Sequence, residues 1–220
     1  MTKRRHHLRR LLVRVVQRED GRRALEVGGV VQSIMPPADA AARSLASGYW
    51  EAMLPDVCPR RALLLGLGGG TVARLLRTRC PQTGLVGIER DEAVLATAWS
   101  ELALDEITGL HIDVADAFVW VPAAVDREPG SFDYICLDLF QAGRLALGTL
   151  ATPFLRQVAQ LLAPDGTLAV NLMVTGRTSD QLHRLERVYH IERTTRVRGN
   201  VVAHLRPRDA PEASGAEPDA

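Results

Sequence analysis

The amino-acid sequence predicts an α/β protein with a mostly parallel, twisted sheet covered by helices on both faces. From Arg61 onward, short apolar runs alternate with segments of helical periodicity. Several of these runs are almost continuously apolar, as expected of strands that are buried on both faces. The chain has 220 residues, of which 46% are hydrophobic, and this is enough for one globular core.

The N-terminal part predicts a small β-hairpin over residues 10–33 and a helix over residues 38–54. Two β-rich runs, at 11–18 and 24–32, flank Asp20-Gly21, a dipeptide that favours a tight hairpin turn. Pro36-Pro37 interrupts the chain, helical spacing of apolar residues follows, and Pro55 ends the predicted helix. We therefore expect a basic arm at 1–9 and a hairpin-and-helix unit at 10–57.

The remaining chain predicts a nucleotide-binding α/β domain over residues 58–206 and a disordered tail over 207–220. Pro164-Asp165-Gly166 predicts a turn into the fifth strand, and the last two strands predict a terminal antiparallel pair. The tail is rich in proline, alanine and acidic residues and has no periodicity. The predicted strands lie at 62–66, 84–89, 110–115, 133–139, 166–173, 190–198 and 200–206, and the predicted helices at 70–79, 91–102, 116–125, 151–163 and 179–188.

Composition excludes few functions. The net charge of +1 gives no general attraction to nucleic acid or membrane, although basic residues crowd the first 23 positions. Such an arm is more often a solvated charge run than a polyanion site. No apolar run reaches the length of a membrane span, and no cleavage pattern follows the basic start, so a cytoplasmic protein is expected.

The three cysteines, Cys58, Cys80 and Cys136, stand far apart in the sequence. This spacing supports neither a zinc site nor a disulfide framework. It favours buried or incidental thiols in a reducing compartment, and no metal is expected.

A glycine-rich turn is the first candidate for ligand binding. Gly66-Leu67-Gly68-Gly69-Gly70-Thr71 follows an apolar strand and opens a helix. Glycines allow a sharp turn and a close backbone approach, and the helix start offers free N–H groups. Thr71 departs from the dinucleotide fingerprint, whereas Gly66-x-Gly68-x-Gly70 fits the first motif of adenosylmethionine-binding proteins.

Acidic residues end the next three strands of the predicted parallel sheet. Glu89, 23 residues after Gly66, is placed to accept both hydroxyls of a ribose. Asp116 can accept from an adenine amine, with Ala117 offering its backbone, or can cap the next helix; Asp113 competes for the first role. Asp138 is placed to orient an amine nucleophile and accept its proton.

In this order, the residues resemble the spermidine synthase family, which has the Rossmann-like class I methyltransferase fold. Gly29-Val30-Val31-Gln32 is similar to the family's G-V-x-Q stretch, and Tyr49-Trp50-Glu51-Ala52-Met53 to its Y-H-E-M helix. Leu65 stands where many methyltransferases have an acid, which favours this family over methyltransferases generally.

The resemblance implies S-adenosylmethionine or decarboxylated S-adenosylmethionine as cofactor, with a small-molecule acceptor such as an amine. It also implies homodimers and assigns site roles by position. Asp138 matches the family's general base. The implied cofactor-binding residues are Gln32, Gly66, Gly68, Gly69, Gly70, Glu89, Asp116 and Ala117, and the implied substrate-side residues are Tyr49, Trp50 and Gln141.

Three departures from the family pattern affect the expected substrate. Gly69 replaces an acid of the glycine loop, Gln141 replaces the second acid of D-x-x-D, and Trp50 replaces a histidine. A desolvated diamine needs anionic partners, so we expect a group transferase that is not a standard putrescine aminopropyltransferase. The alternatives are a methyltransferase, a non-catalytic nucleotide-binding protein, an NAD-dependent dehydrogenase, and nucleic-acid binding through the basic arm.

Overall fold

A computed structural model describes residues 12–35 and 48–208 of the chain. The predicted basic arm at 1–9 and most of the helix predicted at 38–54 lie outside the described residues. The strands are β1 (Val13–Gln17), β2 (Arg23–Val27), β3 (Val30–Met35), β4 (Arg61–Leu65), β5 (Gly84–Glu89), β6 (Leu110–Val114), β7 (Phe132–Leu137), β8 (Phe140–Gln141), β9 (Arg144–Leu145), β10 (Leu162–Met173), β11 (Tyr189–Val197) and β12 (Asn200–Pro207). The helices are α1 (Tyr49–Ala52), α2 (Thr71–Arg79), α3 (Glu92–Leu102), α4 (Ala117–Arg127), α5 (Thr152–Leu161) and α6 (Thr178–Glu186).

The central sheet has seven strands in the order β11-β12-β10-β7-β4-β5-β6. The strands β10, β7, β4, β5 and β6 run parallel, and β12 and β11 complete the sheet as an antiparallel pair. The chain moves outward from β4 to β5 and β6 and then returns to place β7 on the other side of β4. This reversal creates a crevice between the carboxyl ends of β4 and β7, where open α/β sheets bind their ligands.

Strand alternation separates the core into two layers, one on each face of the sheet. Leu63 and Leu65 of β4 pack on the face covered by α4, α5 and α6, whereas Ala62 and Leu64 face α1, α2 and α3. Because both faces are covered, the strand reads as a continuous apolar run rather than an alternating one. This confirms the predicted α/β class with helices on both faces of a mostly parallel sheet.

The N-terminal unit is a three-stranded meander, so the predicted two-stranded hairpin was wrong in its strand count. Residues 24–32 do not form one strand, because Gly28 (φ 60°) and Gly29 (φ 82°) make a two-residue turn between the paired Val27 and Val30. Such a turn requires positive φ at both positions, which glycine adopts without steric cost. The meander packs through Leu25 and Val27 on α3.

In the α/β part, one hairpin was not predicted and one local prediction needs correction. A small hairpin, β8–β9, follows β7, with Ala142 (φ 49°) and Gly143 (φ 71°) in its turn. The Pro164-Asp165-Gly166 turn is an irregularity inside β10, whose pairing with β7 shifts between Leu162 and Thr167. The strand therefore begins four residues before the predicted one, at the end of α5.

At the ends of the predicted elements, the structure is shorter or longer than expected. Within the described part of the 38–54 segment, the helix is the single turn α1 after Gly48. At the predicted tail, Pro207 still pairs with Tyr189, and Arg208 donates from its backbone to the carbonyl of Val188. The prediction of disorder was therefore wrong for these two residues, and the rest of the tail lies outside the described residues.

The cysteine prediction was wrong, because Cys58 and Cys80 form a disulfide and only Cys136 is a free, buried thiol. The two cysteines are 22 residues apart in sequence, but the start of β4 and the end of α2 bring their Cα atoms to 5.4 Å. The two cysteines are close because the β–α unit folds back on itself, and their separation in the sequence does not indicate this. The disulfide encloses β4, the glycine-rich turn and α2 in one covalent loop.

Reduction of this disulfide is expected to lower the free energy of unfolding by about 3 kcal/mol, because a closed loop of this length restricts the unfolded chain. For a chain of this size, the melting temperature should fall by roughly 6–12 °C. Thermal unfolding with and without dithiothreitol measures the effect, with a Cys58→Ala/Cys80→Ala variant as control. A wild-type melting temperature that does not respond to reductant would contradict the prediction.

Candidate active site

The glycine-rich turn lies at the crevice between β4 and β7. Gly66, Gly68 and Gly70 have φ values of 90°, 55° and 82°, a region that side-chain-bearing residues rarely adopt. At Gly66, an added Cβ would lie 2.3 Å from the backbone oxygen of Asp138, so the turn approaches the end of β7 as closely as glycine allows. The prediction that this turn connects β4 to α2 is confirmed.

The third strand of the meander holds the glycine-rich turn in place. The Gly69 N–H donates to the hydroxyl of Ser33 at 2.7 Å, and the Thr71 hydroxyl accepts from the N–H of Ile34 at 2.9 Å and donates to its carbonyl at 3.1 Å. Ser33 and Thr71 are both 2% exposed. Because these bonds are buried, they connect β3 firmly to the start of α2, and the neighbouring Gln32 lines the cleft.

Glu89 ends β5 beside the same turn. One carboxylate oxygen accepts the N–H of Gly68 at 2.9 Å, and the other accepts the N–H groups of Arg90 at 2.9 Å and Asp91 at 3.0 Å. A carboxylate offers about four acceptor positions, so three amides leave one for a ligand hydroxyl. The amides thereby orient Glu89 toward the cleft, which it lines.

Asp116 caps α4, and it also lines the cleft. One oxygen accepts the N–H of Phe118 at 2.9 Å, while the other lies 3.4 Å from the guanidinium of Arg90. Capping and ligand contact are compatible, because the two oxygens have separate partners. Asp113, the alternative acid, instead accepts from the indole N–H of Trp120 at 2.7 Å and contacts His111.

Asp138 follows β7 and is held by two donors. The amide of Asn171 donates to one oxygen at 2.8 Å, and the hydroxyl of Tyr49 donates to the other at 2.9 Å. Burial raises the pKa of Asp138 to about 6, against the two hydrogen bonds, which lower it. The group is therefore mainly ionised at neutral pH, yet it is a much stronger base than an exposed aspartate.

The short helix α1 carries Tyr49 to this position and is anchored at its C-terminal end. The Tyr134 hydroxyl donates to the carbonyl of Met53, and Nε2 of His204 lies 2.7 Å from the carbonyl of Ala52. The carbonyl can only accept, so Nε2 of His204 carries a proton and donates this bond, and burial lowers the pKa of the ring. Since a single helical turn is marginal by itself, these two side chains from the sheet are what position Tyr49.

These elements line one cleft, with about 680 Å³ of space that includes the open solvent at its mouth. The predicted site residues that line it are Gln32, Trp50, Gly66, Gly68, Glu89, Asp116, Ala117 and Asp138. Tyr49 reaches the site through its bond to Asp138, and Gly69 and Gly70 form the floor of the turn behind it. Gln141 has an exposed side chain on β8, and its neighbour Phe140 lines the cleft instead.

Several residues at the site were not identified from the sequence. Ser33, Phe118 and Phe140 line the cleft, and Asn171 contacts Asp138 from β10. For Asn171 a signal existed, because it is the single polar residue in the apolar run at 168–173, and the structure shows it to be 1% exposed. A buried amide in such a place requires a polar partner.

The described residues contain neither a metal-binding cluster nor a membrane-spanning helix. Within residues 12–35 and 48–208, no group of three or more His, Cys, Asp or Glu side chains is arranged to hold a metal ion. The helices in this part of the chain are also too short or too polar to cross a membrane.

Comparison with known proteins gives relatives of two kinds. A probable polyamine aminopropyl transferase from Bifidobacterium longum is 30% identical over 111 residues, which are 50% of this chain and 24% of the relative. An eEF1A lysine and N-terminal methyltransferase homolog from Drosophila melanogaster is 26% identical over 136 residues, which are 58% of this chain and 20% of the relative. This chain therefore spans about a quarter or less of these relatives' lengths. No family model matches it.

Solved structures give the same two groups. A probable spermidine synthase from Corynebacterium glutamicum has a TM-score of 0.66 at 19% identity, covering 88% of this chain and 76% of that one. Human methyltransferase-like protein 13 in complex with SAH has a TM-score of 0.60 at 20% identity, covering 78% and 81%. These likenesses confirm the Rossmann-like class I fold. The relatives of this chain in sequence and fold thus include polyamine aminopropyltransferases and class I S-adenosylmethionine-dependent methyltransferases.

Proposed function

We propose that this protein is a group transferase that binds S-adenosylmethionine or its decarboxylated form and transfers a carbon group to a small acceptor. One observation supports this most strongly: Glu89, Asp116 and Asp138 line a single cleft around the glycine-rich turn. Relatives of both kinds, aminopropyl- and methyltransferases, are consistent with it. A standard putrescine aminopropyltransferase is not proposed, because the acids expected for a diamine are absent at positions 69 and 141.

The residues of the cleft fit an adenosine-bearing ligand. Glu89 keeps an acceptor position for a ribose hydroxyl beyond its three amide partners. Among the described residues, one oxygen of Asp116 has the long 3.4 Å contact to Arg90 as its only partner, and an adenine amine could take the place of this contact. Phe118 and Ile88 add apolar surface to the cleft, which suits the faces of a purine.

When bound, the sulfonium of the cofactor would supply an electrophilic carbon together with a neutral thioether as the leaving group. Asp138 holds the acceptor amine in line and accepts the proton that the nitrogen loses. Tyr49 and Asn171 keep the carboxylate in a fixed orientation during this transfer. Trp50, adjacent to Tyr49 in sequence, lines the cleft with an aromatic surface that favours a cation.

The environment of Gly69 favours methyl transfer over aminopropyl transfer. A Cβ at this position would lie 2.7 Å from the side chain of Leu102 and 2.8 Å from that of Ser33, so the acid that the resembled family has here would fit only if these side chains moved. An aminopropyl group carries an ammonium ion, and burying this ion without a carboxylate is costly. The methyl group itself is uncharged, and the ammonium ion of S-adenosylmethionine is accompanied by the cofactor's own carboxylate.

The test incubates the purified protein with each cofactor and a panel of amines and measures the released nucleoside. Adenosylhomocysteine would establish methyl transfer, and methylthioadenosine would establish aminopropyl transfer. Neither product with any acceptor, together with no cofactor binding by calorimetry, would refute the proposal. The homodimer implied by the resemblance and the cytoplasmic location expected from the sequence stay predictions.

Replacement of Glu89 by glutamine is expected to weaken cofactor binding at least about tenfold, because the amide introduces a donor where the site needs acceptors. The three backbone N–H groups of the turn would then compete for fewer oxygens, and the ribose would lose its partner. Isothermal titration calorimetry measures the dissociation constant. Glu92→Gln, which changes an exposed acid of α3, is the matched control and should bind as the wild type does. Equal affinity in both variants would exclude a ribose role for Glu89.

A further inference from the structure

Two consecutive side-chain hydrogen bonds connect Asp138, in the cleft, to the β11–β12 hairpin at the edge of the central sheet. The amide of Asn200, at the start of β12, donates to the Asn171 side-chain oxygen at 2.9 Å. The Asn171 amide nitrogen then donates to Asp138 at 2.8 Å. Asn171 is 1% exposed, so this bond is shielded from water and water cannot replace it.

The direction of these bonds is set by the ionised carboxylate of Asp138, which can only accept, and Asn200 supports this direction at the other end. A side-chain amide has one accepting and one donating end, and Asn171 is too buried to find other partners. Because Asn200 donates to the oxygen of Asn171, the donating end of Asn171 must point to Asp138. A reversed amide would place two oxygens against each other, which is tolerated only if Asp138 carries a proton.

We propose that Asn171 and Asn200 are positioning residues for the transfer reaction, with Asn200 orienting the Asn171 amide so that Asp138 stays an unprotonated, fixed acceptor. This inference rests on the proposed function, since it concerns the same carboxylate. Asn171 and Tyr49 occupy one position on each oxygen of Asp138. The remaining positions are left for the acceptor nitrogen and its proton.

The other titratable groups that face Asp138 do not take over this task. Tyr49 comes from α1 and Cys136 from the strand that carries Asp138, and burial together with the Asp138 charge raises the pKa of both well above the usual range. Both groups are therefore neutral where the reaction would run. The charge of Glu89, at the end of β5, acts in the opposite direction to Asn171, because it raises the pKa of Asp138.

Asn200→Leu removes the donor without adding a charge, and it separates the loss of the donor from the effect of a new charge. The decisive variant is Asn200→Asp, which keeps the shape of the side chain but replaces its donor by a negatively charged acceptor. The Asn171 amide should then turn its nitrogen toward position 200 and its oxygen toward Asp138. The carboxylate loses a donor, so its pKa rises and the acid limb of the kcat profile moves to higher pH. We expect roughly threefold lower turnover at pH 6.5, as a shift of about one pH unit from a pKa of about 6 would give, with most of it recovered at pH 8.5. Asn171→Leu, which removes the donor itself, should shift the limb in the same direction.

Two readouts separate this inference from the proposed function. A ¹³C NMR titration follows the Asp138 carboxyl in the cofactor-free protein and requires no turnover. Thr194→Ala, an exposed change on the same hairpin, is the control and should leave both the titration and the profile unchanged. If the wild type turns over but neither readout moves in Asn200→Asp, the positioning role is overturned. If no acceptor is turned over while the titration shifts as expected, the positioning of Asp138 by Asn171 and Asn200 is supported and the proposed reaction fails.

Discussion

Replacement of Asp138 by asparagine is expected to reduce turnover by about 10²–10⁴-fold, because the acceptor amine loses the base that takes its proton. Cofactor binding should remain within a few-fold of the wild type, since Glu89 and Asp116 are unchanged. In the wild type, kcat should fall below pH 6, where Asp138 becomes protonated. The measurement combines the pH profile of kcat with calorimetric titration of the cofactor.

The variant should also stay folded, which makes a loss of activity informative. The folded-state pKa of Asp138 lies above the ordinary value of 3.8. Protonation of Asp138 therefore stabilises the native state. This contribution to the free energy of unfolding is fully present below pH 3.8 and is lost as the pH rises through about 6. A neutral amide removes this dependence, and the Tyr49 hydroxyl can reverse to accept from it. Asp126→Asn, an exposed change on α4, is the control. Unchanged turnover in Asp138→Asn would rule out the proposed base.

Replacement of Gly66 by alanine is expected to lower the free energy of unfolding by roughly 2–5 kcal/mol and to abolish cofactor binding. Two effects add: alanine at a φ of 90° is strained, and its Cβ would lie 2.3 Å from the backbone oxygen of Asp138. Because that oxygen belongs to the backbone, it cannot move aside by a side-chain rotation. The crevice between β4 and β7 would have to open.

Gly29→Ala separates the two effects. Gly29 has a similar φ of 82°, but an added Cβ would meet no atom within 4 Å. Only the strain of the left-handed backbone remains, which costs about 1–2 kcal/mol. Guanidinium-induced unfolding of both variants measures the difference, and calorimetry follows cofactor binding. Equal stability losses would mean that the contact between the glycine-rich turn and the end of β7 is not tight.

The sequence alone determined the parts of this protein that depend on local chemistry. Continuous apolar runs indicated β4, β5 and β7, because both faces of a central strand are buried. The glycine-rich turn and Glu89 were predicted, since a β–α turn with positive φ needs glycine and an acid after the next strand reaches the same crevice. Each of these features depends on residues that are close to one another in the sequence.

Only the tertiary structure decided which distant groups meet. Asn171 and Asn200 are 29 residues apart, and their contact depends on the antiparallel pairing of β12 with β10. Ser33 reaches the glycine-rich turn from 36 residues away, and Tyr49 reaches Asp138 from 89 residues away. The Cys58–Cys80 disulfide depends in the same way on the packing of α2 beside β4. Hydrogen bonds and disulfides require distances of a few ångströms, and only the folding of the whole chain, not its local spacing, brings these side chains within that range.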